Sequence, residues 1–180
     1  SVIRAVVDYI LIATGKKGKI YIGNAPLQSG NWDSISKDSG LNNIIEFYQH
    51  SNQPVEAIDL RLFKAERDVL NRILFFDDNK ERDGVIVELG ENSLLSEIDT
   101  PYIKYRVLDY DPRRTEYFQN PNRHAYIINK KILESDVIFS IPKLKTHEKV
   151  GVTLGIKGCV GAVGAKDCLA HHRFGPPSRG

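Results

Sequence analysis

The chain has 180 residues, of which 41% are hydrophobic, 27% charged and 9% aromatic. That composition supplies a real apolar core and excludes a fibre or a disordered segment. The formal charge of +2 is unevenly spread: from Ile141 onward seven Lys or Arg face two acids, whereas the first 140 residues carry eighteen against twenty-one. Positive potential gathered near one end suits a small anion better than a nucleic acid, which would call for bases along a whole face.

In chain order, Val2 to Ala13 reads as a buried amphipathic helix, Thr14 to Gly18 as a turn and Lys19 to Gly23 as a strand. Asn24 to Asp38 reads as a long polar loop carrying Trp32, of the kind that holds function. Leu41, Ile44, Ile45 and Tyr48 have helical spacing within Leu41 to His50, and Val55 to Leu60 is a second buried strand. Apolar runs flanking FDDNKERDG between Val69 and Leu89 predict an inserted antiparallel hairpin, with a helix as the other reading. Tyr102 to Leu108 follows as a strand, then a polar excursion with Pro112 and Pro121, a short strand from His124 to Ile128 and a brief helix from Lys130 to Glu134. The alternation predicts a single α/β domain over residues 1–180, a mostly parallel sheet flanked by helices with one inserted hairpin.

The densest chemistry lies in DVIFSIPKLKTHEKVGVTLGIKGCVG, from Asp136 to Gly161. Val137, Ile138, Phe139 and Ile141 read as a strand buried on both faces, and Pro142 ends it. Lys143, Lys145 and His147 follow at alternate positions, and ligands of open α/β sheets gather beyond the carboxyl ends of strands. The spacing then predicts a helix from Gly151 to about Gly164, with Thr153 and Lys157 one turn apart and Gly151, Gly155, Gly158 and Gly161 on another face. Interior glycines cost roughly 1 kcal/mol each, so close approach of a backbone or a ligand is the expected reason for them. The helix start beside the lysines would also favour an anion. The alternative is tight helix packing next to a solvated turn. His147 is the candidate general acid/base or metal ligand, and Lys145 and Lys157 are candidate catalytic or anion-holding cations. Lys143, Gly151, Thr153, Gly155, Asn24 and Gln28 are candidate ligand-binding residues.

PKLKTHxxxGVTLxxK, with the downstream HH-x-x-GPP-S-R-G, resembles the signature of the domain of unknown function family three-six-two (DUF362). IYIGNAPLQSGNWD, VEAIDL and YIINKKILESDVIFSIPKLKTH resemble that family's other strands, although Asn24 stands where the family usually has Asp. The resemblance implies an intracellular α/β protein, often accompanied by ferredoxin-type iron-sulfur modules, with no agreed reaction. A more distant likeness is to the amino-terminal domain of nickel-pincer lactate racemase-like proteins, onto whose pattern His147, Gly151, Thr153, Lys157 and His171 or His172 can be set. That likeness implies proton transfer and metal ligation by the His and cofactor holding by the Lys.

Cys159 and Cys168 are nine apart, without the spacing of a zinc site or an iron-sulfur cluster, so this segment alone builds no cluster. Cys168 could join His171 and His172 around a metal, but neighbouring residues of a strand point to opposite faces, so one of the two histidines would serve. No stretch reaches the ~20 apolar residues of a bilayer span, so a reduced, cytoplasmic chain with neither membrane nor nucleic-acid partner is expected. The absence of Met and a start inside a helix lead us to expect a piece of a longer protein. Three functions follow: an enzyme of unassigned reaction binding a small anionic metabolite; a metal- or cofactor-bearing redox or isomerase module; or a non-catalytic binding or electron-transfer accessory domain, partnered by a ferredoxin-type module or by its own copies.

Overall fold

The structure is a computed structural model and describes residues 1–67, 69, 73–76, 83–108, 110–147 and 151–174. The first part of the chain runs α1 (Val2–Ala13), β1 (Ile20–Asn24), α2 (Trp32–Asp38), α3 (Leu41–His50) and β2 (Val55–Asp59). Then come β3 (Lys64–Arg67), β4 (Ile73–Phe76), β5 (Gly84–Glu88), β6 (Lys104–Arg106), α4 (Pro112–Phe118), β7 (Gln119–Asn120), β8 (Arg123–Asn129) and α5 (Lys130–Leu133). The last part holds β9 (Lys145–His147), β10 (Gly151–Thr153), α6 (Gly155–Gly158) and β11 (His172–Phe174). The architecture is mixed α/β, in two compact units.

Unit 1 comprises Ser1–Pro26, Gly30–Leu60 and Phe139–Gly161. Its core forms because α1 repeats apolar residues every fourth position, so Ile3, Val7 and Leu11 fall on one face against Tyr48, Val55, Ile20 and Ile44. Ser1 caps α1 by accepting from the Arg4 N–H, and the Tyr48 hydroxyl donates to Asp8 Oδ1 at 2.7 Å. β1 and β2 pair in parallel, Ile20 opposite Val55 and Asn24 opposite Asp59. Gly23 sits where a Cβ would stand 2.9 Å from both Ile58 and Leu60 side-chain carbons.

Unit 2 comprises Leu27–Ser29, Arg61–Ile138 and Ala162–Gly180. β5, β8 and β7 form an antiparallel sheet, β6 pairs with β11 and β3 with β4, both antiparallel. The core gathers Leu62, Phe63, Phe118, Ala125, Val163, Ala165 and Cys168. A buried polar network threads it. His124 Nε2 lies 2.7 Å from Asp99 Oδ2 and its Nδ1 3.0 Å from Gln119 Oε1. Gln119 Nε2 donates to the Ala125 and Cys168 carbonyls, and the Tyr105 hydroxyl donates to Asp99 Oδ1.

Several expectations are corrected. The parallel character is confined to the β1–β2 pair; the other described pairings are antiparallel. Val137 to Ile141 is no buried strand: Val137, Ile138 and Phe139 are exposed by 67%, 59% and 58%, and the segment joins no sheet among the described residues. Gly151 to Gly164 is not one helix, because Gly151 takes a left-handed φ of 76° and Leu154 is extended. It divides into β10, the four-residue α6 and a 3-10 segment at Cys159–Ala162. The hairpin expected between Val69 and Leu89 contains two strands, but β4 pairs with β3 and β5 with β8, while residues 77–82 lie outside the described ones. The long loop holds α2, whose start Asn31 caps by accepting from Ser34 N, and the excursion at Pro112 is α4, capped by Asp111.

Candidate functional site

In unit 1 the signature folds into a short antiparallel hairpin, β9 against β10, with Thr153 opposite Lys145, Val152 opposite Thr146 and Gly151 opposite His147. Directly opposed residues share a face and successive ones alternate. Lys145, His147, Gly151 and Thr153 therefore lie on one face and Thr146 and Val152 on the other. The alternate spacing that marked Lys145 and His147 in the sequence survives as this shared face.

Thr153 distinguishes that face. It is 7% exposed, and its Oγ1 makes no hydrogen bond among the described residues. A buried hydroxyl without a partner costs about 1–3 kcal/mol, whereas one aimed at a ligand recovers that cost on binding. Lys145 is exposed beside it and His147 half-buried. Gly151 has open space where a Cβ would stand, and its left-handed φ is the reason for glycine there.

Lys143 precedes β9 and is exposed, while Gly155 and Lys157 belong to α6. With four residues α6 offers no macrodipole to an anion, so the helix-start contribution expected from the sequence is absent. The close approaches inferred from the glycines exist at two positions. A Cβ on Gly158 would meet Ser140 Oγ at 2.6 Å, and one on Gly161 would meet Asn24 Oδ1 at 2.5 Å. Asn24 thus ends β1 with its amide over Gly161, whose carbonyl accepts from Ala25 N at 2.8 Å.

The remaining candidates belong to unit 2. Gln28 is 1% exposed and commits its side chain to the backbone: Nε2 donates to Phe63 O at 2.7 Å and to Gly164 O at 3.3 Å, and Oε1 accepts from Lys166 N. His171 and His172 do not diverge as strand neighbours were expected to: their rings meet edge to face with centroids 4.4 Å apart. His171 lies just outside β11, so strict alternation does not govern the pair. Among the described residues no three His, Cys, Asp or Glu side chains cluster as a metal set. Cys159 is exposed and Cys168, the cysteine set beside His171 and His172 as a metal ligand, is fully buried.

Sequence reasoning missed the buried cation Lys166. It is 3% exposed and its Nζ donates to Val163 O at 2.6 Å. Burial, with the nearby Arg61 charge, pushes its pKa down to about 8, and burial pushes the Cys168 thiol up to about 12. Asp167, also fully buried, pairs with Arg114. Its signal was a charged dipeptide, Lys166-Asp167, inside an otherwise small and apolar stretch.

The fold and site define a mixed α/β protein whose signature hairpin carries a polar, partly buried face. The chain belongs to the family described as Domain of unknown function (DUF362), whose profile matches residues 60–177. It is also similar to a thylakoid-associated protein of Synechocystis sp., with 30% identity over 83 residues, covering 46% of this chain and 24% of that protein. The chain thus matches about a quarter of that relative's length. No solved structure matches it. No described helix is long and apolar enough to cross a membrane.

Proposed function

We propose that this domain binds a small phosphorylated or carboxylated molecule on the Lys145–Thr153 face of the β9–β10 hairpin. The observation that carries the reading is the buried Thr153 hydroxyl, unsatisfied among the described residues and on the residue directly opposite a lysine. A ligand oxygen accepting from Thr153 Oγ1 and from the Lys145 ammonium satisfies the first and neutralises the second. His147, on the same face, is the group in position to give or take a proton from that ligand, the step an enzyme of this kind would need. Lys143 and Lys157 add positive potential along the chain, and Gly151 leaves the face open opposite the imidazole.

Calorimetric titration with inorganic phosphate and with a small dicarboxylate tests this. Replacing Lys145 by Ala removes one charge-assisted hydrogen bond, about 1.5–3 kcal/mol, or roughly tenfold to a hundredfold in affinity. Binding that Lys145→Ala leaves unchanged for every anion would remove the hairpin from the site. His147→Gln keeps a polar side chain on the face, so affinity is retained while any proton-transfer activity found in the protein is lost.

A further inference from the structure

We propose that two copies of the protein associate through α1, packed antiparallel about a twofold axis on the face that points away from the core. This goes beyond the anion site and uses none of its residues. Ile3, Val7 and Leu11 pack inward. A surface helix ordinarily shows water a polar outer face, yet in α1 every residue but Arg4 and Asp8 is apolar. Opposite Val7 runs a stripe of Val2, Ala5, Tyr9 and Ile12. Val2 is 68% exposed, Tyr9 75% and Ile12 74%, and Ala5 is exposed among them. Their spacing of three, four and three residues is that of a coiled-coil seam, in which side chains of one helix fill holes on the other. The stripe fits a helix as its partner.

Shape and charge make that helix a second α1. With the two copies antiparallel and Val7 at the midpoint, Val2 faces the partner's Ile12 and Ala5 faces the partner's Tyr9, so the largest side chain of the seam meets the smallest. A parallel pair would set Tyr9 on Tyr9 and leave a gap between two alanines. Arg4 and Asp8 lie together on one flank of the stripe, 50% and 46% exposed, with Arg4 Nε 3.8 Å from Asp8 Oδ2. At a rise of about 1.5 Å per residue, the antiparallel pair brings Arg4 to within about 3 Å, measured along the axis, of the partner's Asp8, against about 6 Å for its own. Opposite charges one turn apart on the same flank are thus self-complementary under the twofold, as an isologous interface requires. About three turns of helix bury less than the roughly 800 Å² per partner of a stable complex, so the dimer forms and parts with concentration.

Sedimentation velocity of the protein from micromolar to millimolar concentration tests this, with circular dichroism showing that each variant keeps its fold. The expected result is a monomer that becomes a dimer as concentration rises. Ala5→Glu buries a carboxylate against the partner's Tyr9 and should leave only monomer. Arg4→Glu and Asp8→Lys should each weaken association about tenfold, because like charges then meet across the axis. An equimolar mixture of those two variants should recover it, since opposite charges then face each other at both ends. Asp8 also accepts from the Tyr48 hydroxyl, so if Asp8→Lys unfolds, Ala5→Glu decides alone. A monomer at every concentration overturns the proposal, as does an Ala5→Glu variant that associates like the parent, or a mixture of folded variants that stays as weak as its components.

Discussion

Replacing Lys166 by Met should remove a specific rise in stability on the alkaline side of neutrality. In the folded protein burial holds the Lys166 ammonium at about 8, against an ordinary value of 10.5. Between those values the unfolded chain carries a proton that the folded chain has released, so stability increases with pH. Integrated from about pH 7 to about pH 9, Lys166 contributes about 1.4 kcal/mol. Cys168 acts in the opposite sense: its thiol stays protonated to about 12 when folded but ionises near 9 when unfolded, which subtracts about 0.4 kcal/mol by about pH 9. The net gain is about 1 kcal/mol, or roughly 2–4 °C in Tm for a chain of this size. Above about pH 10 the trend reverses, because burial also raises the Tyr105 phenol and the unfolded chain then ionises both acids first. Lys166→Met keeps the buried stem and deletes the titration, so the rise disappears and only the alkaline fall remains. At neutral pH the variant should be no less stable, since a buried charge is exchanged for an apolar group of similar length. Urea unfolding followed by circular dichroism in steps of pH measures this. A wild-type curve flat through this window, or a Lys166→Met variant that keeps the rise, would refute the assignment.

Three further outcomes follow from the packing. Gly23→Ala brings a methyl within 2.9 Å of Ile58 and Leu60, and chemical denaturation should show a loss of about 1–3 kcal/mol from overpacking. His124→Phe removes the partner of Asp99 Oδ2 and of the Gln119 oxygen, leaving Asp99 only its bond from Tyr105, and should cost about 1–3 kcal/mol; adding Asp99→Asn should recover part of that, a non-additivity readable in the double variant. Cys168 should resist a thiol reagent in the native protein while Cys159 reacts, given their burial, and equal labelling rates under native conditions would contradict the described core.

The parts of the fold legible in the sequence were those governed by local periodicity. α1 and α3 appear where Val7, Leu11, Leu41 and Tyr48 recur at helical spacing, and β1 and β2 where short apolar runs lie between turn residues. Strand pairing was less legible, because partners are chosen by contacts distant in sequence: β5 joins β8 across more than thirty residues rather than its neighbour β4. The run at Val137 to Ile141 has the composition of a buried strand, but burial needs partners that composition does not specify. The glycine-rich stretch carries helical periodicity yet breaks at Gly151 and Leu154, where left-handed and extended backbone override it. At the site, the alternation of Lys145 and His147 was visible, but the pairing that sets Thr153 opposite Lys145 was not. Lys166, Gln119 and Asp99 escaped notice because each acquires meaning only through partners brought together by folding.

The most direct test of the central claim is Thr153→Val, assayed for phosphate affinity and for stability in the same preparation. Valine matches threonine in shape and removes only the unsatisfied hydroxyl. Anion affinity should fall about tenfold, with stability unchanged or increased. A variant that binds phosphate as well as the parent, or one that loses stability because the hydroxyl was serving the fold, would contradict it.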